Sequence, residues 1–107
     1  MKKVSIVTSV FNAEKFIGDT YRSIEAQTFT DWEWVVTNDC STDSTEKILL
    51  DIAGKDKRVK IFKNLTNQGA GYSRNRSISE SQGKFIAFID SDDLWERDKL
   101  IRQIDFM

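Results

Sequence analysis

The sequence predicts an α/β fold, a mostly parallel sheet with helices on both faces. Three observations carry this expectation. Strand-like and helix-like segments alternate in the order βαβαβαβα, the pattern of parallel strands joined by right-handed crossovers. The first, second and fourth strand segments are continuous apolar runs, as expected of strands covered on both faces. The fourth of these, Phe85-Ile86-Ala87-Phe88-Ile89, stops at Asp90-Ser91-Asp92-Asp93. A buried strand would thus deliver acids to its carboxyl end, where open α/β sheets bind ligands.

Each element has a local reason. Val4-Ser5-Ile6-Val7-Thr8 is short and β-branched, which suits a strand. Ala13 to about Gln27 places Ile17, Tyr21 and Ile24 at helical spacing, with Asn12 positioned as its cap. Glu33-Trp34-Val35-Val36-Thr37 reads as the second strand. Asp43-Ser44-Thr45-Glu46 resembles a capping box opening a helix through Ile48, Leu49 and Ile52 to Gly54. In that box Asp43 is assigned to capping. Val59-Lys60-Ile61-Phe62 alternates as a shorter, half-exposed strand. A third helix runs from about Gly71 to Gln82, with Gly83 as its terminator. Phe85 to Ile89 is unbroken and apolar, so a central position is expected for it. Trp95 to Met107 reads as a last helix, with Leu100, Ile101 and Ile104 on its apolar side.

Composition narrows the function classes. The chain has 107 residues, 39% hydrophobic and 31% charged, with a net charge of −1. It therefore reads as one ordinary globular domain, without the positive excess that a nucleic-acid partner requires. Its one cysteine, Cys40, excludes an internal disulfide and fits a reducing compartment. The basic and then apolar start, Met1 to Val7, is too short for a signal peptide or a membrane span. There is no histidine, so acid–base work falls to carboxylates or to a group outside this chain.

In a parallel sheet the loops after strands one, two and four share a rim. If strand one lies between strands two and four, Ser9 to Asn12, Asn38 to Asp43 and Asp90 to Asp93 all face one crevice. With 11 Asp in 107 residues, about one Asp-x-Asp pair is expected by chance, so the spacing alone means little. Turns and caps need two acids here, and one of Asp92 and Asp93 is expected to cap the following helix. Three clustered acids with Asp39 nearby repel one another unless a cation or donor compensates. Asp90 and Asp92 are therefore read as functional, and hard oxygen ligands at such a place suit Mg²⁺ or Mn²⁺ held together with phosphates. Phe11 is either core or a surface on which a base could stack. The segment Asn67-Gln68-Gly69-Ala70-Gly71-Tyr72-Ser73-Arg74-Asn75-Arg76 is neither a P-loop nor a dinucleotide fingerprint. Of its two arginines, Arg76 is assigned a plain surface role.

Taken together, four segments resemble the nucleotide-sugar-binding half of family 2 inverting glycosyltransferases, which have the Rossmann-like GT-A fold. They are Val4 to Glu14, Trp34 to Asp43, Asn67-Gln68-Gly69 with Ser73-Arg74-Asn75, and Phe88 to Trp95, in the family's order. The resemblance implies that Phe11 lies beside the nucleobase, Asp39 hydrogen-bonds it, and Arg74 sits near the base or its acidic partner. It implies that Asp90 is the first acid of the DXD motif, near the ribose. Asp92 is the second, which binds the Mn²⁺ or Mg²⁺ that bridges the diphosphate. Ser9 stands where the family usually has Pro, Asn38 where it often has Asp, and Cys40 where it usually has Gly.

The implied function is binding of a nucleotide-diphospho-sugar, UDP-sugar by preference, for inverting transfer to a saccharide or lipid acceptor. An inverting displacement needs a base for the acceptor's proton, and no residue here is free to serve. Residues 1–107 are therefore expected to be one donor-binding domain, the N-terminal part of a longer transferase. The remaining half would supply the base and would be the place for a membrane-facing surface or homodimer contact. The expected location is the cytoplasm, the inner face of the cell membrane included. A non-catalytic nucleotide-binding module or truncated pseudoenzyme would carry the same rim residues. A phosphoacceptor signalling domain is disfavoured, since no acid pair follows the first strand, and a redox dinucleotide fold lacks its glycine fingerprint.

Overall fold

A computed structural model describes residues 3–105. The elements are β1 (Val4–Val10), α1 (Ile17–Glu25), β2 (Trp32–Asn38), α2 (Thr45–Lys55), β3 (Val59–Lys63), α3 (Ala70–Ser79), β4 (Phe85–Phe88) and α4 (Lys99–Asp105). The four strands are parallel in the order β3-β2-β1-β4. Strand one thus lies between strands two and four, the arrangement that brings the three rim loops together.

β2 is buried along its whole length. Its Trp32, Trp34 and Val36 join Ile6, Ile17, Ile24, Leu49 and Leu100 in one core cluster. On the opposite face α3 lies close enough for Thr37 and Ser77 to share a buried hydroxyl–hydroxyl bond of 2.8 Å. Small residues at the helix positions facing the sheet, Ser73 and Ser77, permit that approach. Among the described residues no helix is long and apolar enough to cross a membrane.

Several expectations are corrected. β4 is not central: among the described residues it pairs with β1 alone, is only partly buried, and leaves Phe88 55% exposed. An apolar run reports affinity for a covered face, which does not fix a strand's place in the hydrogen-bonded order. α1 starts at Ile17, after a turn, and Asn12 does not cap it. Asn12 instead takes a left-handed conformation (φ 50°) and uses its amide on the loop after β2. The capping box of α2 is only half formed. Asp43 accepts from Thr45 N–H at 2.9 Å, but Glu46 pairs with Lys63, and the Ser44 N–H goes to Glu14 at 3.1 Å. α3 ends at Ser79, so Gly83 does not terminate it. A Cβ at Gly83 would sit 2.5 Å from the Ser5 backbone nitrogen, and glycine there lets the chain pass against β1. α4 begins at Lys99 rather than Trp95, and the expected end at Met107 lies outside the described residues.

Candidate functional site

The carboxyl ends of β1, β2 and β4 and the start of α3 enclose a cleft of about 400 Å³. All five residues singled out from the sequence line it: Phe11, Asp39, Arg74, Asp90 and Asp92. A larger, more apolar cavity of about 550 Å³ lies beside α4 around Leu94, Trp95 and Lys99. Of those five it includes none, so the smaller cleft is where polar groups converge.

Asp39 stands at the end of β2, buried to 3% exposure. Its Oδ1 accepts from Asn64 Nδ2 at 2.9 Å and Gln68 N–H at 2.7 Å, and its Oδ2 from Gly69 N–H at 2.8 Å. Burial pushes its carboxyl up, but these donors outweigh burial and hold it below the usual carboxylate range. Gly69, at φ 93°, turns its N–H toward the acid in a conformation that favours glycine. The Ser73 side chain also favours the ionised form, so the carboxylate is held from several sides at the cleft wall.

The first two rim loops are tied to each other. Thr42 N–H donates to Asn12 Oδ1 at 2.8 Å, Asn12 N–H to Ser41 Oγ at 3.0 Å, and Ala13 N–H to Thr45 Oγ1 at 2.8 Å. Ser41 is held in turn by Asn38 Oδ1, which accepts its hydroxyl at 2.6 Å. The other end of that amide, Asn38 Nδ2, is buried without a partner among the described residues. Cys40 accommodates a left-handed backbone (φ 61°) without glycine. Phe11 is 48% exposed, which settles the open choice against a core role and leaves its ring facing the cleft.

Arg74 lines the cleft from α3, exposed and without an ion pair among the described residues. Arg76 is different. Its guanidinium donates to the Lys63 carbonyl at 2.7 Å and to Asn64 Oδ1 at 3.1 Å, and it lies over the Phe62 ring. It therefore supports Asn64, the partner of Asp39, rather than standing free on the surface.

The loop after β4 carries Asp90, Asp92 and Asp93, all exposed, with carboxylate oxygens within 4.8 Å of one another. Among the described residues none of the three carboxylates accepts a hydrogen bond or forms an ion pair, and neither Asp92 nor Asp93 caps a helix, since α4 starts only at Lys99. Oxygens sharing a cation at about 2.1 Å lie within roughly 4.2 Å of one another. A small side-chain rotation would therefore let these acids hold a hard divalent ion, with water and phosphate oxygens completing the shell. The donor set fits such an ion.

Phe16 is a cleft residue that the sequence did not disclose. It is 52% exposed at the start of α1 and faces the same space as Asp90 and Asp92. Nothing in the local sequence singles it out, because only tertiary folding brings α1 beside the acidic loop.

A parallel sheet with β1 between β2 and β4, and an acidic loop at its carboxyl rim, is the arrangement of GT-A glycosyltransferases. The chain belongs to glycosyl transferase family 2, whose model matches residues 5–107. It is 40% identical over 104 residues to a Bacillus subtilis (strain 168) protein provisionally named teichuronic acid biosynthesis glycosyltransferase TuaG, covering 97% of this chain and 41% of that one. It is 39% identical to the Escherichia coli UDP-Glc:alpha-D-GlcNAc-diphosphoundecaprenol beta-1,3-glucosyltransferase WfgD, covering 97% of this chain and 40% of that one. Among solved structures, S. aureus TarS 1-349 in complex with UDP-GlcNAc superposes with a TM-score of 0.91 at 34% identity, over 97% of this chain and 30% of that one. The chain thus spans about two fifths of the length of these curated relatives.

Proposed function

We propose that this chain binds a nucleotide-diphospho-sugar, with uridine as the nucleoside, for inverting transfer to a saccharide or lipid-linked acceptor. The observation that carries the reading is the convergence of Phe11, Asp39, Arg74, Asp90 and Asp92 on one cleft. Phe11 offers a face for the base, and Asp39 a carboxylate lining the same cleft. Uridine is chosen because the relatives' printed donors carry it, UDP-GlcNAc with TarS and UDP-Glc in the name of WfgD. Arg74 supplies positive charge beside the base or the phosphates. Asp90 is assigned to the ribose and Asp92 to the metal. A Mn²⁺ or Mg²⁺ ion there would offset charge on the departing nucleoside diphosphate. The same donor class appears in relatives: TarS is seen with UDP-GlcNAc, and the name of WfgD specifies UDP-Glc and a diphosphoundecaprenol-linked acceptor. An acceptor of that kind would bring the domain to the inner face of a membrane.

With these acids assigned to donor and metal, the base that takes the acceptor's proton is proposed to lie beyond this domain, in sequence that the longer relatives possess. The test is calorimetric titration of UDP with Mn²⁺ and then with EDTA, on the protein and on Asp92→Ala. Metal-dependent heat that disappears in the variant supports the reading. A folded protein giving no heat with UDP, GDP or dTDP overturns it.

A further inference from the structure

The acidic loop is anchored through its backbone. The Ile89 N–H donates to the Val7 carbonyl at 3.2 Å, and the Ile89 carbonyl accepts from Thr8 Oγ1 at 2.8 Å. The Asp90 carbonyl accepts from Asp93 N–H at 3.1 Å, and the Ser91 carbonyl from Thr20 Oγ1 at 2.8 Å. Carbonyls at three consecutive positions thus have protein donors, while the neighbouring carboxylates have none among the described residues. Two threonines from separate elements do most of this work. Thr8 is itself fixed, because Trp34 Nε1 donates to its hydroxyl at 2.9 Å.

Thr20 is the more telling of the pair. A helical threonine ordinarily turns its hydroxyl back to the carbonyl four residues earlier. Here that contact, to Phe16, is the longer one at 3.2 Å, and the shorter bond leaves the helix for Ser91, 71 residues away. Thr20 is fully buried, and Ser91 separates Asp90 from Asp92. Fixing the Ser91 peptide therefore fixes the spacing of the two acids.

We propose that Thr20 is a positioning residue for the metal and donor site, setting through Ser91 where the Asp90 and Asp92 carboxylates stand. This rests on the donor-site reading above. The group required is the hydroxyl, not the bulk of the side chain. Thr20→Val keeps the shape and removes the donor, whereas Thr20→Ser keeps the donor and removes a methyl group. If Thr20 only packs, metal affinity follows stability and both variants weaken it; if it positions the acids, affinity follows the hydroxyl.

The experiment measures Mn²⁺ affinity in the presence of UDP by electron paramagnetic resonance, beside urea midpoints, for the intact protein and each variant. Thr20→Val is expected to weaken Mn²⁺ about tenfold, the scale of one lost hydrogen bond, and Thr20→Ser to restore it within about twofold. Should Thr20→Val not fold, Thr20→Ala tests the same hydroxyl. Unchanged affinity in a folded hydroxyl-free variant, or equal loss in Thr20→Ser, overturns the positioning role alone. An unsubstituted protein that binds no Mn²⁺ with UDP overturns the donor-site reading itself.

Discussion

At the amino end of β1, Ser5 donates to Glu33 at 2.5 Å, Gln82 N–H donates to the same carboxylate at 2.7 Å, and Lys60 pairs with it at 3.1 Å. Gly83 N–H closes the cluster on Ser5 Oγ at 2.7 Å. At the carboxyl end of the sheet, Asp90, Asp92 and Asp93 stand together in solvent with no such donors among the described residues. Glu33 is 1% exposed, yet its donors outweigh burial and hold it below the usual carboxylate range. One end of the molecule uses an acid to build the fold. The other holds three exposed acids side by side with no protein donor among the described residues. Asp39 stands between the two cases, lining the cleft while accepting from Asn64, Gln68 and Gly69.

Five experiments can break or sharpen this contrast. Gly83→Ala should have the largest effect, a loss of about 3 kcal/mol in urea denaturation, because the added carbon meets the backbone of Ser5 and Val4 as well as the Ser5 hydroxyl. At the other end, Asp92→Ala should weaken metal-dependent UDP binding by about a hundredfold, close to 2.7 kcal/mol, as read by calorimetry.

Glu33→Gln should cost about 2 kcal/mol, since charge-assisted bonds from buried donors are lost. Acid titration tests the same point. Glu33 and Asp39 titrate below their ordinary range in the folded protein. Asp56 sits at about 2, where burial acts against it but Arg58 and Tyr21 prevail. A folded value below the unfolded one means stability that is fully present above about pH 5. It should fall as pH drops from there through the folded values, and the Glu33→Gln variant should show a shallower fall. The smallest effect is expected for Asp92→Ala on the urea midpoint, within about 0.5 kcal/mol of the parent and on the side of a gain. A clear loss there would mean that the rim acids support the fold after all.

The sheet was legible because β-branched and apolar runs at Val4–Thr8 and Glu33–Thr37 leave few alternatives, whereas the order β3-β2-β1-β4 came from the structure, which meets the condition that β1 lie between β2 and β4. The position of β4 was not, since Phe85 to Ile89 reads the same whether its strand is flanked on one side or two. Asn12 and Gly83 misled for a shared reason. Each carries a strong local signal, a cap and a terminator, yet each answers to a partner far away in sequence, Thr42 and Ser5. The five rim candidates were found because they lie in short segments with chemical character. Phe16, Thr8 and Thr20 were missed because nothing nearby in sequence distinguishes them. Their relation to the acidic loop exists only once α1 and β1 pack beside it.

The anchored carbonyls of Ile89, Asp90 and Ser91 have a consequence for rates. A cation reaching this loop would not have to wait for the chain to rearrange, because folding has already fixed the peptide planes that carry the acids. The slow event would then be the ion's own exchange of water for carboxylate oxygen. Magnesium sheds its hydration shell reluctantly, so of the two ions proposed manganese should be captured faster even at equal final affinity.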